Sequence, residues 1–143
     1  MFTDKPGFEF MEHTADAKFR AYGSSLAEAF TNAALASFNV IVDTDSVKPA
    51  MKRSISVKAK RPTALLYDFL EDLLFLLDTE GFLLSKVETL KIYEGHEMVL
   101  DAVVYGDHYK GYEVHGNIKS VTYNDMEIKK TDEGYELVVV LDL

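Results

Sequence analysis

The sequence predicts an α+β fold: two helices packed on a largely antiparallel sheet, in the order β-β-α-β-α-β-β-β-β. Three observations carry this. Two stretches repeat their apolar residues at helical spacing, nearly everything after Phe82 alternates like strands, and Glu94-Gly95 and Glu133-Gly134 fit hairpin turns between such strands. Residues 8–11 and 17–22 alternate, with Ala17, Phe19 and Ala21 set against Lys18, Arg20 and Tyr22, as strands with one buried face do. SSLAEAFTNAALASF then opens a helix, where Ser25 and Glu28 form a capping box and Leu26, Phe30, Ala33 and Phe38 make the inward stripe. SISVKA, residues 54–59, alternates again. RPTALLYDFLEDLLFLLDTEG reads as a second helix, started near Pro62 and Thr63 and stopped by Gly81. Its apolar face is broad, so it is expected to be the more buried helix. Four strands follow, over 83–93, 97–105, 111–123 and 135–142.

A length of 143 residues suits one domain, taken as 1–143, and suffices for a real core. About half the residues are hydrophobic, with 9 Phe and 8 Tyr. There is no Cys, which removes disulfides, thiolate zinc sites and cysteine nucleophiles together and suits a reducing cytoplasm. MFTDKPGFEF lacks the basic start and apolar run of a signal peptide. The most apolar helical stretch, near 64–77, carries Asp68, Glu71 and Asp72 and is too short to span a bilayer. A soluble cytoplasmic protein is expected.

The charge balance excludes more. Fifteen basic residues against twenty-four acidic ones give a net charge of −9. Tight nucleic-acid binding needs a basic face, and the clusters in sequence, Lys58/Lys60/Arg61 and Lys129/Lys130, are small. No direct tight nucleic-acid binding is therefore expected. Cations and basic protein surfaces are the partners an acidic chain favours.

Phosphate-binding loops, nucleophile elbows and HExxH are all missing from the sequence. DTDS at 43–46 resembles the start of a calcium loop but lacks the glycine and the closing glutamate, and reads as a polar loop after the first helix. His96 and His108 fall in or beside polar turns. Three features remain. Glu12, His13 and Asp16 crowd a bend between two strands, where Asp and His also serve simply to cap turns. VVVLDL ends the chain as a strand, which orders Asp142 and the terminal carboxylate of Leu143. Those oxygens, with the Asp16 carboxylate, have the ligand chemistry of calcium or magnesium. Lys119, between Ile118 and Val121, sits on a strand in a region short of base, as a functional or a merely solvated lysine.

EHTAD (12–16), the Gly23 turn entering SLAEAFTNAALASF, LLYDFLEDLLFLLDTEGF (65–82), IKSVTY after His115, and the terminal VVVLDL together resemble the archease family, nearly end to end and in order. The resemblance implies a strand-helix-strand-strand α+β domain with no chemistry of its own. It implies a protein cofactor of the RtcB-type RNA ligase of tRNA splicing, which promotes guanylylation of the ligase's active-site histidine and so multiple turnover. It further implies a divalent metal, calcium first and magnesium or manganese next, held by Asp16, Asp142 and Leu143. His13, Glu12 and Lys119 fall at positions of the same motifs and are expected to face the partner. Two residues depart from the pattern: Ser120 replaces a small apolar residue, and Asn124 stands where a histidine is common. A monomer or weak oligomer is expected. The alternatives are a small metal-dependent hydrolase using Asp16, Asp142 and His13 with metal-activated water, and a general chaperone or modulator of RNA-processing and modification enzymes.

Overall fold

The computed structural model describes residues 2–12 and 16–143. Strand β1 (Phe8–Met11) turns back into β2 (Asp16–Gly23), and helix α1 (Leu26–Asn39) follows. The capping box holds: Ser25 Oγ accepts the Glu28 N–H at 3.1 Å, while Glu28 reaches back to the Ser24 N–H at 3.0 Å. A short 3₁₀ turn, Thr44–Ser46, is capped by Asp43, whose side chain accepts the Asp45 N–H at 3.1 Å. The DTDS segment is thus a self-capped polar loop, as its sequence suggests.

Strand β3 (Met51–Ala59) leads to helix α2 (Pro62–Glu80), which starts on a proline and stops where Gly81 takes the left-handed conformation at φ +68°. Strands β4 (Phe82–Tyr93), β5 (Met98–His108), β6 (Ser120–Thr131) and β7 (Gly134–Asp142) complete the chain.

The strands form two antiparallel sheets, in the orders β1-β2-β7-β6 and β3-β5-β4. The expectation of one largely antiparallel sheet is refined to two. Periodicity shows which residues face inward but not which strands pair. Helix α1 packs on β2 and β7 of the first sheet and β4 of the second, whereas α2 packs on β3 and β5 of the second and β6 of the first. Each helix therefore joins both sheets around one core. At the centre of that core Phe30 and Phe69 stack with ring centroids 6.3 Å apart and planes 21° from parallel.

One strand is displaced from its expected place. The strand-like run of residues after Phe82 suggests a strand over 111–123, but residues 109–119 are irregular and the strand runs over Ser120–Thr131. Gly111 and Gly116 break it, adopting φ of +93° and +77°, and β6 then continues past a register irregularity between Thr122 and Glu127. The last hairpin turns on Asp132-Glu133, and Gly134 opens β7. A Cβ on Gly134 would lie 2.1 Å from the Gly23 carbonyl oxygen, so this close approach of β7 to the end of β2 requires glycine. Among the described residues, no helix is long and apolar enough to cross a membrane.

Candidate functional site

Strand β2 begins at Asp16 and its partner β7 ends at Asp142. Antiparallel pairing in full register therefore sets Asp16 directly opposite Asp142, from a ladder that runs up to Gly23 opposite Tyr135. On the other side of β7, Asp142 stands opposite Ser120, the first residue of β6. One row, Asp16–Asp142–Ser120, thus closes the end of the first sheet.

The face is fixed by alternation. Ala17, Phe19 and Ala21 on β2 and Leu137, Val139 and Leu141 on β7 face the core, so Asp16 and Asp142, one residue out of phase, belong to the opposite face, which is itself covered at Val140. Directly opposed residues on one face bring their Cβ atoms to about 4.5–5.5 Å, where like charges disfavour each other. Further along that face the charges alternate in sign. Arg20 donates to Glu9 Oε1 at 2.9 Å and forms a second ion pair, without hydrogen-bond geometry, from Nε to Glu136; Lys18 lies 3.5 Å from Asp125. Among the described residues of that face, the end row sets carboxylate opposite carboxylate.

The oxygen donors here are hard and contain no sulfur or imidazole among the described residues, a donor chemistry that fits calcium or magnesium rather than copper or zinc. Among the described residues, no three His, Cys, Asp or Glu side chains are grouped to hold an ion. A cation would accordingly draw on the Asp16 and Asp142 carboxylates and on main-chain oxygen at Leu143. Leu143 is half-buried and packs against the core, which anchors the strand end. The carbonyl of Asp142 accepts the Lys119 N–H at 2.8 Å, so the backbone of Lys119 is tied to the same row while the residue itself is exposed. Glu12 is exposed and follows the last paired residue of β1. His13 lies outside the described residues.

Sequence reasoning missed how the second helix reaches this edge. Glu71 Oε2 accepts the Val121 N–H at 3.0 Å, and Tyr67 stacks on Tyr123 at 4.3 Å with planes 8° apart. These contacts join residues about fifty apart in sequence, and neither periodicity nor spacing signals them. They leave α2 with an acidic flank beside the site. Burial pushes the Asp72 carboxyl up, with Asp68 and Glu71 adding to it, and burial followed by Glu71 pushes the Tyr67 phenol up.

Fold and strand end together define a small α+β domain of two antiparallel sheets, the first of which ends in two facing aspartates. The chain belongs to the archease family: the model of the Archease protein family matches residues 8–143. The Protein archease of Methanothermobacter thermautotrophicus is 43% identical over 139 residues, covering 96% of this chain and 99% of that one. The Protein archease of Methanosarcina acetivorans is 41% identical over 140 residues and 95% of each chain. The solution structure of Methanobacterium thermoautotrophicum protein 1598 superimposes with a TM-score of 0.83 at 38% identity, covering 96% of this chain and 99% of that one. The crystal structure of an archease from Thermotoga maritima, described as a possible chaperone, shares the fold with a TM-score of 0.59 at 19% identity over 100% and 99% of the two chains.

Proposed function

We propose that this protein is a non-catalytic activator of an RtcB-type RNA ligase, acting through its acidic strand end to promote guanylylation of the ligase's active-site histidine. The observation that carries the reading is the Asp16–Asp142 pairing in a member of the archease family, since it joins two motifs that lie at opposite ends of the sequence. A bound divalent cation would neutralise the facing carboxylates and bridge the start of β2 to the end of β7. Asp16 and Asp142 would hold it from the two strands, and Leu143 would add an oxygen of its backbone or terminal carboxylate. Lys119 and Glu12 are both exposed on the segments that flank the row, where they can meet a partner's surface. In this reading the edge enters the ligase's metal- and nucleotide-binding cleft and rearranges the ligands around the histidine.

The test is ligase turnover with and without stoichiometric protein, repeated in a chelator. Multiple turnover is expected only with the protein, and Asp16→Ala and Asp142→Ala should each abolish activation while the domain still folds. A ligase that stalls after one round in the protein's presence overturns the reading, as does an unchanged guanylylation rate with both variants. Turnover of generic phosphoesters by the isolated protein with manganese would instead support a hydrolase.

A further inference from the structure

The outward face of the second sheet reverses the charge of the rest of the molecule. Ile55, Val57 and Ala59 of β3 point into the core, so Lys52, Ser54, Ser56 and Lys58 point out, and all four are exposed. On the other edge, β4 presents Lys86, Thr89, Lys91 and Tyr93, exposed likewise. The register aligns these residues in rungs across β5: Lys58–Val99–Tyr93, Ser56–Asp101–Lys91, Ser54–Val103–Thr89 and Lys52–Tyr105–Lys86. A shallow groove lies over the two middle rungs, lined by Ser54, Ser56, Thr89, Lys91, Asp101 and Val103. Two lysine rows thus flank a central strip, about 10 Å apart across two strand spacings and about 20 Å long over six residues of strand.

We propose that this face is a docking track for single-stranded RNA. The lysine rows match phosphates, and Tyr93, half exposed at 51%, offers an aromatic surface for a base. Lys86 already lies 5.3 Å over the Tyr105 ring. Among the described residues, Lys52, Lys58 and Lys91 enter no ion pair, whereas Lys86 lies 3.0 Å from Glu88. Asp101, the acidic residue of the central strip, accepts a 2.8 Å hydrogen bond from Ser56, and its charge would keep phosphates over the flanking rows. Val99 and Val103, half-buried in that strip, give apolar contact on either side of Asp101. An acidic protein segment would use the lysines but not these valines or the tyrosine, so RNA fits the face better. The net charge of −9 keeps the contact weak and salt-dependent.

Binding of a labelled oligouridylate to the full chain, followed by fluorescence anisotropy between about 50 and 200 mM salt, tests this. Four phosphate contacts predict a slope of about −3 in log affinity against log salt. Replacing the four lysines together (K52Q, K58Q, K86Q, K91Q) should weaken binding at least about tenfold and flatten the slope. Tyr93→Ala should cost about tenfold with the slope retained, a loss of stacking rather than charge. Lys129→Gln, on the outward face of the first sheet, should change nothing. If the quadruple variant melts early, K58Q and K91Q alone should each lower the slope by about 0.7. Absence of saturable binding at the lowest salt overturns the proposal. So does binding indifferent to the lysines, or polyglutamate bound as tightly with Tyr93→Ala silent. No ligase is present in the assay, so its failure leaves the activator reading standing.

Discussion

Glu71 on α2 accepts the backbone N–H of Val121 on β6 at 3.0 Å. Strand β6 is an edge of the first sheet, and Val121 pairs inward with Leu141 of β7. Its outward N–H would otherwise be an open ladder position. The carboxylate closes it and joins the second helix to the row beside Ser120 and Asp142.

Loss of that bond should be measurable. A charge-assisted hydrogen bond from a partly exposed carboxylate contributes on the order of 1–2 kcal/mol. Glu71→Ala is expected to lower the urea midpoint accordingly and to speed amide exchange at Val121 before the rest of β6. Glu71→Gln, which keeps an acceptor oxygen, should recover most of the loss. Identical midpoints for wild type and Glu71→Ala would show that the bond contributes nothing.

Asp72 behaves in the opposite sense. Burial, then Asp68 and Glu71, raise its carboxyl above the ordinary 3.8. Its folded value exceeds its unfolded value, so the ionised form costs stability above the folded pKa, and that cost disappears as pH falls below 3.8. The side chain is largely exposed, which holds the effect to a few tenths of a kcal/mol. Asp72→Asn should therefore stabilise at neutral pH and give no gain near pH 3 in parallel urea titrations. A destabilised variant at pH 7 would reverse the assignment.

Lys5 fastens the N-terminal segment to the loop after α1 by ion pairs with both Asp43 and Asp45, the latter at 2.8 Å. Hydrogen bonding from Lys5 holds the Asp43 carboxyl below 3.8. Burial lowers Lys5, but its bonds to the two aspartates outweigh that and hold it above 10.5. The contribution is thus full between those two values. It fades as pH falls through the depressed Asp43 value, and again as pH rises through the raised Lys5 value. An exposed pair of this kind is worth about 0.2–1 kcal/mol. Lys5→Met should remove that much at pH 7 and flatten the acid limb of the stability profile, measured by thermal melts across pH.

Both helices were legible because their signals are local: Ser25 with Glu28, Pro62 at one end and Gly81 at the other all act within a turn or two. The strand expected over 111–123 begins instead at Ser120, after an irregular stretch that apolar residues such as Val114 and Ile118 do not distinguish from strand. Two glycines in the left-handed region decide otherwise, and glycine is silent in a hydrophobicity pattern. The hairpin pairings of β4 with β5 and β6 with β7 were legible from their turns, but the pairing of β2 with β7, which joins the two ends of the chain, was not. Asp16 and Asp142 were candidates from residue chemistry, and only the register shows that they are neighbours. The lysine face of the second sheet was hidden for the same reason, as Lys52 and Lys86 come from strands that flank β5 without pairing with each other.

The opposed aspartates give the cation reading a test independent of any ligase. In chelator, Asp142→Asn relieves a like-charge pair across two strands and is expected to be neutral or to stabilise by up to about 1 kcal/mol. With calcium the order reverses. A cation that binds only the folded chain stabilises it by about 2.7 kcal/mol at a hundredfold excess over Kd. The wild type should gain that increment and Asp142→Asn should not, so the two melting curves cross between the conditions. Leu141→Asn is unsuitable as a comparison, because Leu141 is buried and its loss would unfold the strand for other reasons. Asp125→Asn, on the same sheet but away from the end row, is the proper control and should leave the calcium increment intact. A calcium shift that survives in Asp142→Asn would place the ion elsewhere and remove the physical basis for the acidic strand end as a metal centre.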